Sequence, residues 1–248
     1  MRVLRNILVA VKPASAEAHP LRSALALAAS TRARLTVITV AASPESHAGL
    51  EPGLNERFTV HNAVGIPPIE IARAAESRGV DLIVLGRDFP CPLDPRRDGN
   101  TADGTVRRAR VPCLLVPPGQ QAFRRVLAAV DGGPDSQDVI GAAHLVGRVF
   151  DAAVRVVQVE EPVPVGVGTP AWSHEPPPSV SAAPGGECET IVCQGDPVSE
   201  ILRVARQQHI DLLVFGHHRG GPVRAHATSG VAARLLQRAP CAVLTVPI

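Results

Sequence analysis

The chain has no tyrosine, one tryptophan and five phenylalanines in 248 residues. Single-strand nucleic-acid grooves need aromatic platforms on which unstacked bases rest, so this composition excludes one. Lysine is nearly missing too. Lys12 is the only one, and no G-x4-G precedes it, so the chain holds no P-loop of the form G-x4-G-K-(S/T). Basic residues number 25 against 23 acidic ones, a formal net charge of +2, and the arginines are spread along the chain. No basic footprint for a phosphate backbone stands out, and nucleic acid is not an expected partner. No apolar run approaches the ~18 residues of a membrane span, so no membrane partner is expected either. The apolar run Ile7 to Val11 is also too short for the core of an export signal. The expected localisation is cytoplasmic, where the five cysteines, an odd count, stay reduced.

What is present is an aliphatic core and a repeat. Apolar residues make up 45% and charged ones 19%, the balance of a globular protein. Four landmarks recur in the same order. Ile7-Leu8-Val9-Ala10-Val11 matches Val126-Leu127-Ala128-Ala129-Val130, and Gly65-Ile66-Pro67 matches Gly195-Asp196-Pro197. Asp81 to Gly86 matches Asp211 to Gly216, and Pro112-Cys113 matches Pro240-Cys241. The offsets are 119, 130, 130 and 128. Two copies of one module follow, residues 1–119 and 120–248, with an insertion in the second copy where the offset jumps. That insertion, 161–187, holds seven prolines and little periodicity, and reads as a loop.

The apolar runs are of strand length and β-branched, without polar alternation, as in parallel strands buried on both faces. Between them lie helical patterns, apolar at i, i+3, i+4 and i+7: Leu21, Ala24, Leu25, Ala28 and again Val198, Ile201, Leu202, Ala205. Asp196 is the expected N-cap of the second set, with Pro197 at its first helical position. Strands alternating with helices predict an α/β fold, two tandem five-stranded parallel-sheet sandwiches. Ligands in such sheets sit at the carboxyl ends of the strands, where strand order reverses.

The second copy places Asp131 at the end of its first strand, followed by Gly132-Gly133-Pro134-Asp135-Ser136. A carboxylate there can accept ribose hydroxyls or help hold a phosphate-bound metal; equally, Asp, Gly and Ser suit a helix-capping turn. Its fourth strand ends in Gly216-His217-His218-Arg219-Gly220-Gly221, with Thr228-Ser229-Gly230 before an apolar helix that opens at Val231. Glycines let the backbone approach a ligand, and free amides at a helix start favour anions, so the pattern outlines phosphate chemistry; a plain glycine loop and serine cap is the alternative. Cys188 and Cys193 fit no zinc spacing, and no metal site is expected. No catalytic base or nucleophile can be nominated, since each candidate has a simpler capping or core role.

The order of these landmarks, ending in Ala239-Pro240-Cys241-Ala242-Val243-Leu244, resembles the universal stress protein family in its tandem, two-module form. The resemblance implies an adenine nucleotide alpha hydrolase-like, Rossmann-like fold, its modules packed as an intramolecular pseudo-dimer through the last strands, Cys113 to Pro117 and Cys241 to Pro247. It implies ATP or AMP as cofactor, with Mg2+ accompanying the phosphates. By resemblance, Val130 and Asp131 lie on the ribose side, Val159 contacts adenine, and Gly216, His218, Arg219, Gly220, Ser229, Gly230 and Val231 surround the phosphates. Further pairing into a homodimer and binding of protein partners are implied as well.

The family's G-x2-G-x9-G-(S/T) loop is altered in both copies. From Gly216 the second glycine slot holds Arg219, and Ser229-Gly230 reverses the Gly-Ser pair; counted through Gly220 and Gly230, Val231 fills the Ser/Thr slot. In the first copy Lys12 replaces the strand-tip acid, Phe89 fills the second glycine slot, and Asp88, Asp94 and Asp98 are offset in count by Arg87, Arg96 and Arg97. The first copy is therefore expected to be structural. Three readings follow: a stress-response regulator binding ATP or AMP in its second module, a nucleotide-free interaction scaffold, and, least favoured, a weak ATPase or self-phosphorylating enzyme.

Overall fold

A computed structural model describes residues 4–12, 19–43, 58–87, 101–120, 123–160, 188–218 and 230–248. In the first half, β1 (Asn6–Val11), α1 (His19–Thr31), β2 (Arg34–Ala41), β3 (Phe58–Val64), α2 (Pro67–Ser77), β4 (Leu82–Gly86), α3 (Thr101–Arg108) and β5 (Cys113–Val116) follow in order. The second half repeats them as β6 (Arg125–Val130), α4 (Ser136–Phe150), β7 (Ala153–Glu160), β8 (Glu189–Gln194), α5 (Pro197–Gln207), β9 (Leu212–His217), α6 (Val231–Arg238) and β10 (Ala242–Pro247). All ten strands join one sheet in the order β3-β2-β1-β4-β5-β10-β9-β6-β7-β8. Pairing is parallel inside each half. Where the halves meet, β5 and β10 run antiparallel, with Leu115 opposite Val243, Leu114 opposite Leu244 and Cys113 opposite Thr245. This is the seam that the last strands were expected to form.

Alternate strand residues feed two cores, one on each face of the sheet. Ile7 and Val9 of β1 face Ala24 and Leu27 of α1, in a core that continues through Phe123 to Ile140 and Val146 of α4. Leu8 points the other way, into a core shared with Ile71 of α2, Val106 of α3, Ile201 of α5 and Leu235 of α6. Each core crosses the seam, so the halves share their hydrophobic interior. The α5 stripe lies as expected: Val198, Ile201, Leu202 and Ala205 are all buried. On α1 the stripe differs by one position, because Ala24, Leu27 and Ala28 meet the sheet and Leu25, next round the helix, stays 38% exposed.

A small device repeats with the fold. Asp81, just before β4, accepts the backbone N–H groups of Arg5 and Asn6 at 2.8 and 2.9 Å through Oδ2. Asp211, just before β9, accepts those of Arg124 and Arg125, both at 2.9 Å. One carboxylate in each half thus secures the amino end of that half's central strand.

Candidate functional site

β6 lies between β7 and β9, yet the chain leaves it first toward β7 and returns only later through β9, so strand order reverses between β6 and β9. α4 covers one face of that reversal and α6 the other. Such a switch point opens a crevice beyond the strand ends. Val130 ends β6 opposite Gln158 of β7, and Gly216 follows the last β6–β9 pair, Ala129 with Phe215.

Asp131 is exposed at this crevice. Its Oδ1 accepts the Gly133 N–H at 2.8 Å and the Ser136 hydroxyl at 3.3 Å. The same carboxylate therefore shapes the turn into α4, and both bonds fall on one oxygen. The two glycines beside it meet different neighbours. Gly132 has φ +79°, and a Cβ there would stand 3.1 Å from Gln158 Nε2; a Cβ on Gly133 would stand 3.0 Å from Asp131 Oδ1. Gln158, buried at the end of β7 against this turn, is a site residue that sequence reasoning missed. Its signal was present: one amide in the apolar run Val156-Val157-Gln158-Val159. Val159 pairs with Cys193 of β8 and packs on the α5–α6 side of the sheet.

Gly216 has a packing reason of its own. A Cβ there would meet Ile248 Cδ1 at 2.8 Å and Val139 Cγ2 at 3.4 Å, so its missing side chain makes room for the chain itself. His218 is exposed. Gly230 caps α6 in an extended conformation, and among the described residues nothing lies within 4 Å of where its Cβ would be. Val231 beside it is 40% exposed. Among the described residues, therefore, nothing covers the amino end of α6 or takes its first amides. The structure places Val130, Asp131, Val159, Gly216 and His218 at the carboxyl ends of the neighbouring strands β6, β7 and β9, with Gly230 and Val231 on the helix packed against β9. Arg219, Gly220, Ser229 and the 161–187 insertion lie outside the described residues.

Arg87, which follows β4, reaches into the second half. It is 3% exposed and donates from Nη1 to Cys241 O at 2.8 Å and from Nη2 to Leu236 O at 2.7 Å, across the seam. Burial lowers its pKa. Burial likewise pushes the thiols of Cys113 and Cys241 up to about 12, so both stay protonated. Cys188 packs on the α4 side of β8 and Cys193 on the opposite side, which separates the pair by the thickness of the sheet. Among the described residues no helix is long and apolar enough to cross a membrane.

The family model described as the universal stress protein family matches residues 50–117 and 122–247. The chain belongs to the universal stress protein family. A curated universal stress protein of Thermus aquaticus, named for the QAH/OAS sulfhydrylase 3'region, is 26% identical over 135 residues, 50% of this chain and 98% of its own. Universal stress protein architecture also spans the whole molecule. The crystal structure of a universal stress protein from Archaeoglobus fulgidus DSM 4304 has a TM-score of 0.71 at 14% identity, covering 98% of this chain and 96% of that one. Another universal stress protein from Archaeoglobus fulgidus, solved in complex with dAMP, is 20% identical over 46% of this chain and 98% of that one, with a TM-score of 0.35.

Proposed function

We propose that this universal stress protein is a stress-response regulator that binds ATP or AMP, the triphosphate with Mg2+, in its second half. The observation that carries this reading is the pair formed by Asp131 and the open amino end of α6 on the two sides of one switch point. Asp131 is held through Oδ1, so its second oxygen is available to accept a ribose hydroxyl. The amides that open α6 carry the positive end of the helix dipole, which favours phosphate. In this reading Val159, next to Gln158 on β7, contacts the base. Lys12 in the place of Asp131 leaves the first half without the ribose acceptor, so one nucleotide per chain is expected. One observation favours a nucleotide-free scaffold instead: Gly216 is explained by the packing of Ile248 and Val139.

The test is calorimetric titration of the nucleotide-stripped protein with ATP and Mg2+, repeated on Gly230→Val. Among the described residues nothing crowds the Cβ position of Gly230, so the fold is expected to accept valine, while its methyl groups stand where phosphate would approach. One site per chain, lost in Gly230→Val with little change in melting temperature, is the expected result. No heat at millimolar ATP, an affinity weaker than about −4 kcal/mol, would leave the scaffold.

A further inference from the structure

We propose that Arg87, a first-half residue, is a positioning residue for α6 and thereby sets the nucleotide affinity of the second half. The inference rests on the nucleotide reading of α6 given above.

The α6 helix is lightly held. Its buried residues are Leu235 and Leu236, and its outer side is tied by Arg234 to Asp196 of the α5 cap at 3.3 and 3.4 Å. Its counterpart α3 buries four residues, Ala102, Gly104, Thr105 and Val106. It also fits Gly104 against Pro68, where a Cβ would stand 3.0 Å from the proline ring. What α6 lacks in packing is supplied across the seam. The last four carbonyls of a helix have no partner inside it. The Ala239 N–H satisfies that of Leu235 at 2.9 Å, and Arg87 satisfies that of Leu236. The other arm of the same guanidinium takes Cys241 O, so one planar group fixes both sides of the turn from α6 into β10. Its charge lies at the negative end of the α6 dipole, the stable place for a cation. The Arg87 N–H also donates to Val116 O at 2.8 Å, which roots the residue in β5.

Eight residues of helix span about 12 Å, as one stiff rod. Fixing the carboxyl end therefore fixes where the amides at Gly230 and Val231 point. The arrangement is one-sided: at the repeat offset of 130 the second half has His217 where the first has Arg87. The half with the more altered loop thus orients the half whose loop is partly preserved.

The experiment compares Arg87→Met, Arg87→Lys and Thr245→Val with the wild-type chain, measuring ATP–Mg2+ affinity by calorimetry and α6 amide exchange by mass spectrometry. Methionine keeps the buried volume and leaves both carbonyls unpaired; lysine keeps the charge and a single donor group. Thr245→Val removes a seam hydrogen bond to Cys113 O that does not touch α6. Arg87→Met is expected to weaken ATP binding by about tenfold or more and to speed exchange in 232–238, with β6 and β7 unchanged. Arg87→Lys should fall between, and Thr245→Val should match wild type in both readouts. Arg87→Met that binds ATP within about twofold of wild type overturns the proposal. So does an equal loss in Thr245→Val, which would mean general loosening of the seam. If the wild-type chain binds no ATP, the nucleotide reading fails and α6 exchange alone judges Arg87: unchanged exchange removes it as an anchor.

Discussion

Asp211 does for β6 what Asp81 does for β1, and its two charge-assisted bonds make a measurable test of one carboxylate. Hydrogen bonds to a charged group contribute about 1.5–3 kcal/mol. Asp211→Ala should lower the unfolding free energy by about that much in urea titration with an unchanged slope, and Asp211→Asn, which keeps an acceptor without the charge, by less. Cys113 and Cys241 are the pH-sensitive pair. Their folded pKa values, pushed up to about 12 by burial, lie above the ordinary thiol value of 9.0. The folded state therefore holds its protons where the unfolded chain releases them. Below about pH 9 these thiols cost nothing; between about pH 9 and 12 they draw stability down as pH rises. Two measurements check this: native protein near pH 8 should resist alkylation at both thiols, and the alkaline loss of stability should flatten in Cys113→Ala/Cys241→Ala.

Opposed magnitudes meet in α4. Gly147 lies inside the helix, where alanine would contribute about 1 kcal/mol from propensity alone. A Cβ there, however, would sit 2.5 Å from Val154 Cγ2 and 3.3 Å from Ala152 O, against β7. Overpacking of that kind costs about 1–3 kcal/mol, so Gly147→Ala is expected to destabilise, read as a lower urea midpoint. A higher midpoint would show that Val154 turns aside cheaply. Elements whose causes are local were legible in the sequence. Asp196 caps α5 by accepting the Ser199 N–H at 2.9 Å, and Pro197 follows at the first turn, as their spacing announces. The edge strands β3 and β8 were harder to read, because neither is buried on both faces. Asp131 could be placed at a strand tip from sequence, and its role in shaping the turn was one of two open readings. The contacts of Gln158 and Arg87 were not legible: Gln158 acts across a strand pair, and Arg87 bonds partners 149 and 154 residues away.

At the scale of the molecule, the seam has a symmetry that the register reveals. Leu115 and Val243, directly opposed, are 128 residues apart, the same offset as between the two Pro-Cys landmarks. A pseudo-dyad therefore passes through this pair, and the antiparallel β5–β10 junction relates equivalent strands by an isologous contact. The seam also closes what would otherwise be two open sheet edges carrying buried apolar faces, since Leu114, Leu115, Val243 and Leu244 are all at most 1% exposed. An isolated half would expose that edge and both core faces beside it. The Thermus aquaticus relative, nearly all of which aligns with half of this chain, shows that a single-module length exists in the family. The fragment 120–248, our proposed second module, is accordingly expected to dimerise by pairing β10 with its own copy, Val243 against Val243. Sedimentation should give twice the fragment mass, and Val243→Asp, with a charge on each side of the dyad, should split the dimer or unfold it. A fragment that stays folded as a monomer would mean that the shared cores are not needed and that the seam joins two self-sufficient domains.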